Sequence, residues 1–130
     1  MKLDIFGGVT KALAFGDAGY QEIGGLALDA SGNIFLAGYS TTGIDFGGGA
    51  ATPAGAEDVY IAKLDPDGKH LFSARYGDAA SQDVSSLAIG PDGRTVVAGT
   101  FAGAIDFGTG PSSAMTAKGS RDLYVAKLCQ

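Results

Sequence analysis

The sequence predicts an all-β fold of the β-propeller type, built as two four-stranded antiparallel blades. Three observations predict it: a long internal repeat, short β-branched and aromatic runs, and glycine-bearing turns between those runs. Ala37-Gly38 followed by Ile44-Asp45-Phe46-Gly47 returns as Ala98-Gly99 followed by Ile105-Asp106-Phe107-Gly108. Phe15-Gly16-Asp17-Ala18 returns as Tyr76-Gly77-Asp78-Ala79, and Val59-Tyr60-Ile61-Ala62-Lys63-Leu64 as Leu123-Tyr124-Val125-Ala126-Lys127-Leu128. A fixed repeat of this kind marks an array architecture. From Lys2 to Gly47 the copies align without a gap, with Asp45 falling on Asp106. After Gly108 the second copy carries three extra residues, so Tyr60 falls on Tyr124. The whole chain, 1–130, reads as a single unit of two tandem repeats, about 2–62 and 63–128.

Taken in order, the first copy places strands at about 11–15, 23–28, 34–39 and 59–64. The second places them at 71–76, 84–89, 95–100 and 123–128. Each is a run of five or six residues rich in branched and aromatic side chains and bounded by turn residues. Asp29-Ala30-Ser31-Gly32-Asn33, Asp65-Pro66-Asp67-Gly68-Lys69 and Gly90-Pro91-Asp92-Gly93-Arg94 read as tight hairpins in which glycine supplies positive φ. Residues 59–64 alternate as a half-buried strand should. Ile34-Phe35-Leu36-Ala37-Gly38 and Val96-Val97-Ala98-Gly99 do not alternate, so those strands are expected to be covered on both faces. Four-stranded antiparallel repeats with doubly covered inner strands stack radially into propellers, the small Ala-Gly ends letting strands crowd near the axis.

Composition narrows the function classes. A net charge of −5 disfavours a nucleic-acid partner, which needs a basic stripe. No apolar run reaches the length of a membrane span. Met1-Lys2 leads into a polar, glycine-containing stretch instead of an apolar signal core, so the expectation is a cytoplasmic protein or a piece of a longer one. Cys129 has no internal disulfide partner and reads as a free thiol near a fraying end.

Gly32-Asn33-Ile34-Phe35-Leu36-Ala37-Gly38, then Ile44-Asp45-Phe46-Gly47, then Asp58-Val59-Tyr60-Ile61-Ala62-Lys63-Leu64-Asp65 resemble the bacterial SBBP-type β-propeller repeat. The resemblance covers nearly the whole chain. It departs from the pattern at Gly93-Arg94-Thr95 and in the glycines (Gly47, Gly108) that follow Asp-Phe. The resemblance implies blades of large bacterial surface or secreted proteins, mostly without assigned activity.

Propellers close with about four to eight blades, and two alone leave apolar faces in water. The expectation is therefore self-association into a closed ring, with three chains giving six blades favoured and four giving eight next. The N-terminal strand at 11–15 is expected to be the outermost strand of a neighbour's blade, and the last three strands a blade lacking that strand. This is a heterologous contact.

The connections are unequal, and binding residues concentrate on long loops. Tight turns occupy one rim; the loops at 40–57, 101–121, 16–22 and 77–83 occupy the other. Candidate ligand-binding residues on that rim are Asp17, Glu22, Asp45, Asp58, Asp78, Asp83, Asp106 and Asp122, joined by Glu57. Few cations accompany them, chiefly Lys118 and Arg121, so a cation or a hydroxyl-rich ligand suits the field. Asp17 with Glu22 and Asp78 with Asp83 have the chemistry to hold calcium, or else cap their own loops. Asp45-Phe46 and Asp106-Phe107 either present an aromatic ring to a sugar or plug the space between blades. Asp65-x-Asp67-Gly68 lacks the later ligands of a calcium loop. Tyr20 and Tyr39 have no tyrosine counterparts in the other copy.

No catalytic residue stands out. His70 is the one histidine and has no visible dyad partner, and one His with one Cys makes zinc ligation improbable. No cofactor is called for beyond calcium. The reading is a non-catalytic propeller scaffold or binding module for a glycan, a protein or calcium on the acidic face. Its rivals are a hydrolase or lyase with carboxylates at a central channel, and an excised or engineered blade pair with no function beyond assembly.

Overall fold

A computed structural model of the chain describes residues 1–108 and 114–129. Their regular structure is strand and turn, with no helix. The strands are β1 (Lys2–Leu3), β2 (Val9–Lys11), β3 (Gln21–Leu28), β4 (Ile34–Ser40), β5 (Asp58–Leu64) and β6 (His70–Tyr76). They continue with β7 (Ser86–Ile89), β8 (Thr95–Phe101), β9 (Ala104–Asp106), β10 (Ala114–Thr116) and β11 (Asp122–Leu128). A first sheet has the order β3-β4-β5-β6 and a second the order β11-β8-β7; β1–β2 and β9–β10 are separate hairpins. Named strands pair antiparallel throughout.

The first sheet crosses the repeat boundary. β6 belongs to the second copy in sequence, yet it pairs with β5 from Val59↔Tyr76 to Leu64↔His70. The second sheet has no strand in the corresponding place beside β11 among the described residues.

Strand alternation divides each sheet into two faces. Ala37, Val59 and Ile61 on one face of the first sheet share a core with Val84, Val97, Phe101, Ile105, Tyr124 and Leu128 of the second half. The opposite face carries Ala62 and Leu64 under Ile44 and Phe46, with Ile34, Leu36, Tyr60 and Phe15 packed beside them. Two glycines permit the sheets to touch. A Cβ on Gly24 would stand 1.9 Å from the Val84 carbonyl oxygen, and one on Gly25 2.5 Å from the Leu87 nitrogen.

The Ala-Gly pairs have a more specific cause than crowding at an axis. A Cβ on Gly38 would lie 2.0 Å from the Glu22 carbonyl oxygen, and one on Gly99 2.1 Å from that of Asp83. Those carbonyls accept hydrogen bonds from the Tyr60 and Tyr124 hydroxyls, at 3.0 and 2.7 Å. The glycines clear the path for a tyrosine tie from one strand, over its neighbour, to the chain beyond.

Three expected elements differ. Residues 12–15 lie outside any strand, and Val9–Lys11 folds back on Lys2–Leu3. In the turn between them Asp4 Oδ1 accepts bonds from the Phe6 and Gly8 amides. The expected strand at 84–89 is regular only from Ser86. The loop expected at 101–121 contains the β9–β10 hairpin, with Ala114↔Asp106 to Thr116↔Ala104 in register; its residues 109–113 lie outside the described residues.

Candidate functional site

The two rims follow from the register. Leu28↔Ile34, Leu64↔His70 and Ile89↔Thr95 close the tight-turn end. Gln21↔Ser40, Ser40↔Asp58, Val59↔Tyr76 and Asp122↔Phe101 open the long-loop end. Gly32, Gly68 and Gly93 hold φ of 79°, 78° and 75° in the tight turns, a conformation a side chain resists.

Most of the candidate carboxylates sit at the long-loop end, and each is bonded to nearby chain. Asp17 Oδ1 accepts bonds from the Gly19 amide at 2.9 Å, Gln21 Nε2 at 2.7 Å and the Thr42 hydroxyl. Asp78 repeats the arrangement: Ala80 N at 2.8 Å and Gln82 Nε2 at 2.7 Å reach Oδ1, and Ala104 N at 2.7 Å reaches Oδ2. Each thereby ties one loop to the next. Hydrogen bonds to the charged form hold both carboxyls below the usual range, led by Thr42 for Asp17 and the Ala80 amide for Asp78.

Asp58 is buried, with Oδ2 accepting from the Ala54 amide at 2.7 Å and lying 3.1 Å from Arg75 Nη1. Asp122 accepts the equivalent bond from Lys118 N at 2.9 Å. Asp83 accepts bonds from the Thr100 amide and hydroxyl and from Arg121 at 2.8 Å. Asp106 caps the Gly108 amide at 3.0 Å.

Glu22 is the one member held by aromatic hydroxyls. Tyr20 and Tyr39 donate to its Oε2 at 2.5 and 2.8 Å, with their rings 6.1 Å apart. The Tyr20 bond is the main cause of a lowered Glu22 pKa, and the same carboxylate raises Tyr39. The pairing was not visible in the sequence because Tyr20, just before β3, and Tyr39 on β4 are far apart in the chain and have no tyrosine counterparts in the second copy.

Asp45 does not stand on the long-loop rim where the sequence placed it. Its Oδ1 caps Gly47 and Gly49, and that turn lies against His70 at the tight-turn end; a Cβ on Gly48 would meet the imidazole at 2.2 Å. The loop after β4 runs along the sheet face instead of standing on the rim, because Ile44 and Phe46 bury themselves on Ala62 and Leu64. Among the described residues, no group of three or more His, Cys, Asp or Glu has the geometry to hold a metal ion.

An apolar surface also lies open. A groove of about 680 Å³ runs over the outward face of the first sheet, between Leu26, Leu36 and Tyr60 on its floor and Leu13 and Phe15 on its wall. Phe15 stacks on Phe46 at 5.1 Å and Phe46 on Tyr60 at 5.3 Å. The trio returns one repeat later, with Tyr76 on Phe107 at 4.9 Å and Phe107 on Tyr124 at 5.1 Å. Phe15 thus stands where Tyr76, the last residue of β6, stands in the next repeat.

No family model matches the chain, and no curated protein matches it.

Proposed function

We propose that the chain is a two-blade segment of a β-propeller, resembling the SBBP-type repeat, and that it serves as a non-catalytic scaffold completed by further blades. One observation carries this reading: the two sheets meet face to face, and repeat mates of the residues that meet, Leu123 and Val125 on one side and Ile23 and Leu26 on the other, stand exposed on the outward faces. An apolar surface of this extent on a soluble chain marks an interaction site. The carboxylates described above cap and tie their loops, so the rim works first as a rigid frame. An even number of blades follows from two per chain, six from three chains or eight from four.

Negative-stain electron microscopy with multi-angle light scattering tests the reading. The expected result is an annular particle with a central channel and the mass of three or four chains. A monomer at high concentration, or a compact particle without an annulus, refutes it.

A further inference from the structure

We propose that the groove over the first sheet receives a second copy of this chain, head to tail, by the outward face of that copy's second sheet. The proposal rests on the propeller reading and names its interface.

The repeat specifies the occupant. Ala37, Val59 and Ile61 form the face of the first sheet that is covered inside the molecule, and all three are 0% exposed. Their repeat mates on the second sheet are Ala98, Leu123 and Val125. Leu123 is 82% and Val125 73% exposed, apolar side chains with little over them among the described residues. The complementary surface obeys the same relation. Val84, Ile105, Tyr124 and Leu128 cover Ile61 and its neighbours. Their mates Ile23, Ile44, Tyr60 and Leu64 line the groove, together with Leu26, the mate of Leu87. Every molecule therefore carries both halves of a contact it already makes once internally.

The halves differ from one another, so the contact is heterologous: groove on one copy, β8–β11 face on the next. A groove-to-groove dimer would match surfaces that never meet inside the chain. The N-terminal segment fits the same plan. Phe15 already occupies the place of Tyr76, which belongs to the strand beside β5. Carrying the β5–β6 register across the repeat puts Phe15 opposite Leu123, Leu13 opposite Val125 and Val9 opposite Leu128 of the second copy. The open edge of β11 would thus gain its missing strand, the pairing an exposed edge invites. One difference weakens the new contact. Gly24 and Gly25 are replaced at the equivalent positions by Ser85 and Ser86, so the sheets stand farther apart by a Cβ.

Val125→Asp closes one half of the contact and Leu26→Asp the other, both at exposed sites. Circular dichroism checks that each keeps its sheet. Leu28→Asp, on the same groove face, replaces Leu26→Asp if that variant loses it. Light scattering should show each variant alone as a single chain. An equimolar mixture should give a particle of twice that mass, because each supplies the half the other lacks. Overturning results are a mixture that stays monomeric, or a variant that assembles alone as well as the unaltered chain. If the unaltered chain still forms an annulus in the latter case, the propeller reading survives and only this interface falls. If the unaltered chain is itself monomeric, both fall.

Discussion

Ile61 and Val125 occupy the same place in successive repeats, and their truncation separates a buried face from an open one. Ile61 is 0% exposed between the sheets. Ile61→Ala deletes three carbons at about 0.8 kcal/mol each and leaves a cavity, for a total of about 3–4 kcal/mol. Val125 is 73% exposed. Val125→Ala deletes two carbons with only a quarter of the side chain buried, about 0.4 kcal/mol in an isolated chain. If the face is covered by another copy, the Val125 cost rises toward about 1.5 kcal/mol per contact as concentration increases, whereas the Ile61 cost does not depend on concentration. Urea unfolding followed by tyrosine fluorescence, at low and high protein concentration, reads both quantities; the chain has five tyrosines and no tryptophan to mask them. With domain stabilities of about 5–15 kcal/mol, the Ile61 variant should sit near the edge of folding. An Ile61→Ala cost below about 1 kcal/mol refutes the two-sheet core. Equal costs at the two sites in dilute solution refute the assignment of covered and open faces.

Other consequences are simpler to measure. Tyr124→Phe removes the hydroxyl bond to the Asp83 carbonyl and should cost about 1 kcal/mol in urea unfolding; no loss would mean the tie is ornamental. Tyr60 is pushed up to about 12 from 10.0, by burial first and the Glu22 charge second. The folded chain then holds a proton that the unfolded chain gives up, so this contribution is intact below pH 10 and lost as pH rises toward 12. Tyrosinate absorbance should therefore rise together with unfolding in that window, and a Tyr60 titration at the ordinary value in the folded chain would contradict the burial. Asp78→Ala unties the loop after β6 from Gln82 and Ala104 and should cost about 1 kcal/mol or more. The lowered Asp78 pKa gives the acid-side sign: its contribution is present above the unfolded carboxyl range and lost as pH falls through the folded value. Acid titration of unfolding in the unaltered chain and in Asp78→Ala should converge at low pH.

How much of this was legible beforehand can be read from particular residues. The strand runs of the first sheet and the three tight hairpins follow from local chemistry: side-chain branching, alternation, and glycine where φ must be positive. The pairing of β6 with β5 across the repeat boundary was legible for the same reason, since Asp65 to Lys69 form a tight turn that leaves antiparallel pairing as the short path. Asp17 and Asp78 were visible as a matched pair that could cap their own loops, but not their distant partners, because Thr42 and Ala104 lie more than twenty residues further along the chain. Asp45 looked like a rim residue and is not one, because Phe46 next to it is worth more buried on Leu64 than standing in water. Residues 12–15 carry a strand's composition but form no strand, since a backbone ladder needs a second chain segment that composition does not supply.

The sequence by itself determined the repeat, the β character of its runs and the turns that punctuate them, since each depends on residues within a few positions. The tertiary structure alone decided which face of each sheet is covered, where the loops lie and which carboxylates are bonded. Burial is a property of two surfaces meeting, and a linear pattern records that a side chain seeks cover without recording what covers it.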